Sequence, residues 1–167
     1  MKALLVGVFG LGLCATSAHA IDPCMVGVWE ADGHDIAHVM AEQMGGTATY
    51  LSGTTSLEID QFGNMTLLVD DLVIETKMPD IPAIQVTISG YSEGAMNADD
   101  GRSYVANAPH YDLVGSADVL GTRMEIPVTS ASGPWGQSTG IYGCTEDGLA
   151  FEADKLGTIP RSWTRVR

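Results

Sequence analysis

Two cysteines, Cys24 and Cys144, constrain this chain more than any other pair of residues. They stand 120 positions apart. A third, Cys14, lies within residues 1–20, which read as a secretory signal peptide. Lys2 supplies the charged start, Ala3 to Leu13 the apolar run, and Ala18-His19-Ala20 a cleavage site after Ala20. Leu13 before Cys14 fits a lipoprotein leader poorly. An exported chain with two remaining cysteines is expected to hold one disulfide. Closing so long a loop contributes about 4–5 kcal/mol in the chain-entropy picture. Cys24 also opens a strand-like stretch, Cys24-Met25-Val26-Gly27-Val28-Trp29-Glu30. Its indole has a counterpart near the other terminus, in Arg161-Ser162-Trp163-Thr164-Arg165. A chain whose first and last strands meet is expected to close as a barrel.

Without its leader the chain keeps 147 of its 167 residues, read as one domain over 21–167. The leader takes one lysine with it, so seven basic side chains face 21 acidic ones, a net charge of −14. Nucleic acids and anionic membranes need clustered Lys and Arg, so neither is expected as a partner. No stretch is long and apolar enough to span a bilayer as a helix. The expected compartment is outside the cytoplasm, periplasmic or secreted.

Periodicity divides the remainder. Asp32 is a candidate N-cap and Gly45-Gly46 a candidate stop, with Ile36, Val39, Met40 and Met44 at helical spacing between them. This short amphipathic helix after the first strand is expected to close one end of the β structure. From Thr54 the period becomes two. Ser56–Asp60 and Met65–Val69 flank a hairpin loop at Gln61-Phe62-Gly63-Asn64, and Leu72–Thr76 either extends the second strand or begins another. Ile84–Ser89 alternates, and further strands are expected near 111–115, 122–128, 140–145, 149–153 and 162–166. The fold class is all-β: an antiparallel up-and-down barrel of about eight to ten strands with one helix. Leu57, Ile59, Leu67, Val69, Ile84, Val86, Ile88 and Met124 are the expected lining.

Gly27-Val28-Trp29 on the first strand, with an arginine on the last, resembles the arrangement of lipocalins and related calycin barrels. The likeness extends to the lipocalin-like domains of exported bacterial proteins through Pro23–Trp29, Tyr142-Gly143-Cys144-Thr145-Glu146-Asp147-Gly148-Leu149 and Trp163-Thr164-Arg165-Val166. It implies that Trp29 plugs one end and that a terminal-strand arginine packs across it, Arg165 in preference to Arg161. A cation over an indole contributes about 0.5–2 kcal/mol. The helix after the first strand is longer than the turn usual in that family, and its central signatures are missing.

Function is less constrained. His34-Asp35-Ile36-Ala37-His38 resembles the H-E-x-x-H helix of zinc proteases, with His34 and His38 on one face and Glu42 a turn on. Asp is a methylene shorter than the catalytic Glu, no third-ligand spacing follows, and the face lies opposite the apolar stripe. A solvated face with no metal is the favoured reading. Asn97, Asp99 and Asp100 before Gly101 lack the twelve-residue calcium pattern and read as a turn. Trp135 and Tyr142 are candidate ligand contacts at a barrel mouth. No cofactor fingerprint or nucleophile elbow occurs, so an enzyme is the lesser expectation. Three functions follow: an exported barrel holding a small apolar molecule; an envelope interaction protein with a filled barrel; and a metal-dependent hydrolase built on His34 and His38.

Overall fold

The computed structural model describes residues 21–80, 82–99, 102–119, 121–128, 136–155 and 159–166. A 3₁₀ turn, Pro23–Met25, leads into β1 (Gly27–Ala31) and α1 (Gly33–Met44). Eight further strands follow: β2 (Thr47–Ile59), β3 (Asn64–Lys77), β4 (Ile84–Ala98), β5 (Ser103–Val119), β6 (Thr122–Val128), β7 (Gln137–Cys144), β8 (Gly148–Ala153) and β9 (Ser162–Arg165). All pairings are antiparallel. The circuit β1-β2-β3-β4-β5-β7-β8-β9 returns to β1 and closes an eight-stranded up-and-down barrel, consistent with a calycin-like fold. The ninth strand, β6, pairs with β5 alone among the described strands.

β6 and β7 occupy one edge of β5 in succession. β6 covers Leu113–Val119 and β7 covers Ser103–Asn107. Pro109 lies in the gap between them, where a residue with no N–H removes a ladder donor. The strands are also unequal. β2 to β5 run 13 to 17 residues, whereas β1 and β7 to β9 run four to eight. The long strands therefore project beyond the barrel as a curved sheet. Register shifts at Tyr50–Thr54 in β2 and Val69–Leu72 in β3 bend it there. Leu72–Thr76 thus extends β3, and the strand expected near 111–115 is the middle of β5.

α1 lies against this projection. The Asp32 side chain accepts from the His34 N–H at 2.8 Å, and Gly45, left-handed at φ 67°, ends the helix with its N–H on the Ala41 carbonyl. Ile36, Ala37 and Val39 are buried, with Met40 half-buried beside them. The opposite end is capped by the N-terminal segment, where Ile21 and Met25 are buried. Side chains close two of the hairpins at that end. Asp60 accepts from the Phe62 and Asn64 N–H groups and from the Asn64 amide; Asp99 accepts from the Ser103 N–H and hydroxyl. The Asn64 side-chain bond, ahead of the backbone bonds, holds the Asp60 carboxyl below its ordinary range. Asp99 is a loop cap, and Asp100 and Gly101 lie outside the described residues.

The first and last strands meet at Trp29 and Arg165, and beside them a disulfide ties Cys24, ahead of β1, to Cys144 at the end of β7. Trp29 pairs in register with Arg165 and is fully buried, its Nε1 donating to the Met25 carbonyl at 2.9 Å. The Arg165 guanidinium lies 4.0 Å from the Trp29 ring centroid and donates to three carbonyls: Glu146 from Nε, Val26 from Nη1 and Cys24 from Nη2. A Cβ at Gly27, which sits at φ 148°, would overlap Arg165 Nη1. The glycine of Gly27-Val28-Trp29 is therefore the space the guanidinium occupies.

The Trp29→Ala variant is expected to lose about 3–5 kcal/mol, the cost of emptying a buried aromatic site, measured by urea unfolding. Arg165→Lys keeps the charge but not the fork, and should lose about 1–3 kcal/mol. Because both act on one contact, the double variant should lose less than the sum. Strict additivity would show the two side chains to be energetically independent.

Candidate functional site

A calycin-type site would lie inside the barrel, so the inward side chains decide what it can hold. Trp29, Met25, Ile59, Val69, Leu72, Ile74, Met96, Tyr104, Leu149 and Phe151 are at most 2% exposed. Aromatic rings stack across the middle: Tyr104 meets Phe151 edge-on at 4.9 Å, and Phe151 meets Trp163 edge-on at 6.5 Å. Trp163 donates its Nε1 hydrogen to the Pro160 carbonyl at 3.0 Å. The cavity bounded by Leu57, Met65, Leu67, Ser92, Met96, Ala106, Ser138, Ile159 and Trp163 measures about 20 Å³. That is room for one water, against the several hundred ångströms cubed of a ligand pocket. Ser92 Oγ lines it and has no hydrogen-bond partner among the described residues. A single water donating to Ser92 suits the space; a fatty chain does not.

Of the expected lining, Leu57, Ile59, Leu67, Val69 and Ile88 are buried, and Ile84 and Val86 are half-buried. Met124 is the exception, at 52% exposed. It lies on the inward face of β6, opposite Ala117, but β6 belongs to the projecting sheet where no short strand faces it. Alternation placed Met124 on the correct face; strand length left that face uncovered.

The Tyr142 side chain is buried, and its hydroxyl donates to Asp22 Oδ2 at 2.7 Å and contacts the Asp99 carbonyl at 3.0 Å. It ties the N-terminal cap to the β4–β5 hairpin, at the end away from α1. Trp135 lies outside the described residues. His34 and His38 are both exposed and engage different neighbours. The His34 ring meets Tyr50 edge-on at 5.7 Å, while His38 Nε2 lies 3.7 Å from Glu42 Oε1. No cluster of three or more His, Cys, Asp or Glu side chains suited to a metal occurs among the described residues.

A second concavity lies at the helix end. Asp35, His38, Val39 and Glu42 of α1 face Phe151, Glu152 and Ala153 of β8, with Ile159 and Arg161, around a cleft of about 180 Å³. Asp35 Oδ2 is buried there without a hydrogen-bond partner. Arg161, the alternative to Arg165 in the sequence, thus stands at this mouth rather than on Trp29. The cleft was not legible in the sequence, because its walls come from segments more than a hundred residues apart.

No protein-family model, curated protein or solved structure matches the chain.

Tyr104 gives the interior a pH signature. Burial raises its phenol above the ordinary value, outweighing the Ser138 hydroxyl at 2.7 Å. Below about pH 10 both folded and unfolded chains keep the proton. Above it the unfolded chain releases the proton first, so unfolding becomes easier as pH rises toward the raised folded value. The urea midpoint should therefore fall on the alkaline side, and Tyr104→Phe should flatten that fall. An unchanged alkaline slope would show that Tyr104 titrates normally.

Proposed function

We propose that this protein is an exported, lipocalin-like module that acts through its surface, its barrel serving as a filled scaffold rather than a calyx. The export reading is supported by the leader-like residues 1–20 and by the disulfide between Cys24 and Cys144. The lipocalin-like reading is supported by the closed eight-stranded circuit and by Arg165 on Trp29. One observation carries the functional choice: the interior between Leu57, Met96 and Trp163 leaves only about 20 Å³. Recognition of an apolar cargo by burial would require several of these side chains to leave together. Each such departure costs on the order of kcal/mol in lost packing.

Binding of a small molecule has separate support at the helix end. There the partnerless Asp35 Oδ2 would be satisfied by a hydrogen-bond donor, an amine or amide rather than a fatty chain. A hydrolase built on His34 and His38 gains little from the geometry, since the two rings engage Tyr50 and Glu42 rather than a common point.

Native mass spectrometry of protein from its own host is expected to show the chain beginning at Ile21, less two hydrogens for the disulfide, with no apolar adduct. Titration with a fluorescent fatty-acid probe should show no saturable binding. A co-purifying molecule of fatty-acid size, or a saturable probe site lost on widening none but the interior residues, would overturn the filled-scaffold reading.

A further inference from the structure

The edge strand β6 pairs with β5 on one side and with no described strand on the other. Val119 and Thr122 oppose each other across a two-residue connection, which makes them a hydrogen-bonded pair in an antiparallel hairpin. Alternation then aims the backbone N–H and C=O of Thr122, Met124, Ile126 and Val128 at β5. Those of Arg123 and Glu125 point to the free edge. Pro127 independently fixes the same phase, because a residue without N–H falls at a position that owes β5 no donor.

Three features of that edge bear on its partner. The Arg123 and Glu125 side chains share the outer face, Arg123 opposite Asp118 and bonded to Ser116 Oγ at 2.9 Å, Glu125 opposite Ser116. Met124 and Ile126 share the inner face and are 52% and 42% exposed. No described strand pairs with the outer edge. Consider an antiparallel copy of β6 centred on Met124. Arg123 then falls opposite the partner's Glu125 and Glu125 opposite the partner's Arg123, both at edge-facing positions, so four backbone hydrogen bonds form. Met124 meets the partner's Met124, and Ile126 meets the partner's Thr122, so each chain covers apolar surface of the other. Neighbouring in-phase registers place arginine on arginine, or glutamate on glutamate with Arg123 facing the partner's Pro127, which offers no donor.

We propose that the chain forms a two-fold symmetric dimer by antiparallel β6–β6 pairing centred on Met124. The interface rests on the free edge and its charges, whatever the barrel holds.

Sedimentation velocity of the full mature chain over a wide concentration range should show a reversible monomer–dimer equilibrium. Arg123→Glu places glutamate against glutamate across the axis, and Glu125→Arg places arginine against arginine. Each should weaken self-association about tenfold or more, since cross-strand charge pairs turn from attractive to repulsive twice. Mixing the two variants restores both opposite-charge pairs, so the mixture should dimerise where neither component does. Unchanged far-ultraviolet circular dichroism and melting of each variant confirm that folding is intact, as expected for exposed side chains. A monomer at every concentration, single variants that dimerise as the parent does, or a mixture that stays monomeric would each overturn the proposal.

Discussion

The guanidinium of Arg165 is the point on which the barrel closes. From the last strand it reaches several partners at once: the Trp29 face, the Val26 and Cys24 carbonyls before β1, and the Glu146 carbonyl between β7 and β8. Its geometry explains three neighbours. Gly27 leaves room for Nη1. The 3₁₀ turn at Pro23–Met25 orients the Cys24 and Val26 region toward it, and the disulfide ties that region to Cys144, beside the turn holding Glu146. A planar fork with five donors can satisfy three carbonyls and stack on an indole together; an ammonium cannot. The sulfur bond and the guanidinium thus hold one seam by different physics, the first limiting the unfolded chain and the second rewarding the folded one.

Closure at that seam uses short strands, while the opposite wall uses long ones. This inequality organises everything above the barrel. The excess of β2 to β5 has no counterpart in β1, β8 and β9, so its inner face must be covered by something else. α1 does this at β2 and β3, where Ile36 joins the core that holds Ile74, with Met40, Ala48 and Tyr50 packed against it. Coverage ends before β6, which is why Met124 and Ile126 stay exposed although they lie on the inward side. Below that level the wall is narrow enough for Tyr104, Phe151, Trp163 and Met96 to meet in the middle, as barrels of about eight strands allow.

Much of this was legible in local pattern. Strand alternation around Leu57, Ile59, Leu67 and Val69 named true inward positions, and the hairpin at Gln61–Asn64 falls where its loop residues stand. Asp32 and Gly45 mark the helix ends because capping is a local interaction with local signatures. Arg165 was separable from Arg161 only as a preference, since both share a face with Trp163 and the difference is register against β1. Strand length and interior volume were not legible. β5 runs 17 residues straight through Pro109 because it borrows two successive partners, and nothing near Pro109 announces that. Whether a barrel is hollow depends on how Met65, Met96 and Trp163 meet from three distant strands, a sum over non-local contacts. The same holds for Tyr142, whose aromatic ring suggested a mouth but whose hydroxyl is claimed by Asp22 and Asp99.

The exposed edge and the acidic surface belong to one balance. A chain of net charge −13 repels its own copies at long range, and physiological salt shortens that reach to about 8–10 Å. At contact only local charge matters, and Arg123 sets a basic residue on the β6 edge that no described strand pairs. Edge strands commonly carry charge and proline to discourage indiscriminate pairing. Arg123, Glu125 and Pro127 do so for most registers, and the alternating signs leave a single register in which the same charges attract. Global repulsion with one locally complementary edge favours a finite, symmetric pair over open-ended strand addition, because a two-fold β6–β6 contact uses the same edge of both chains and so closes on itself.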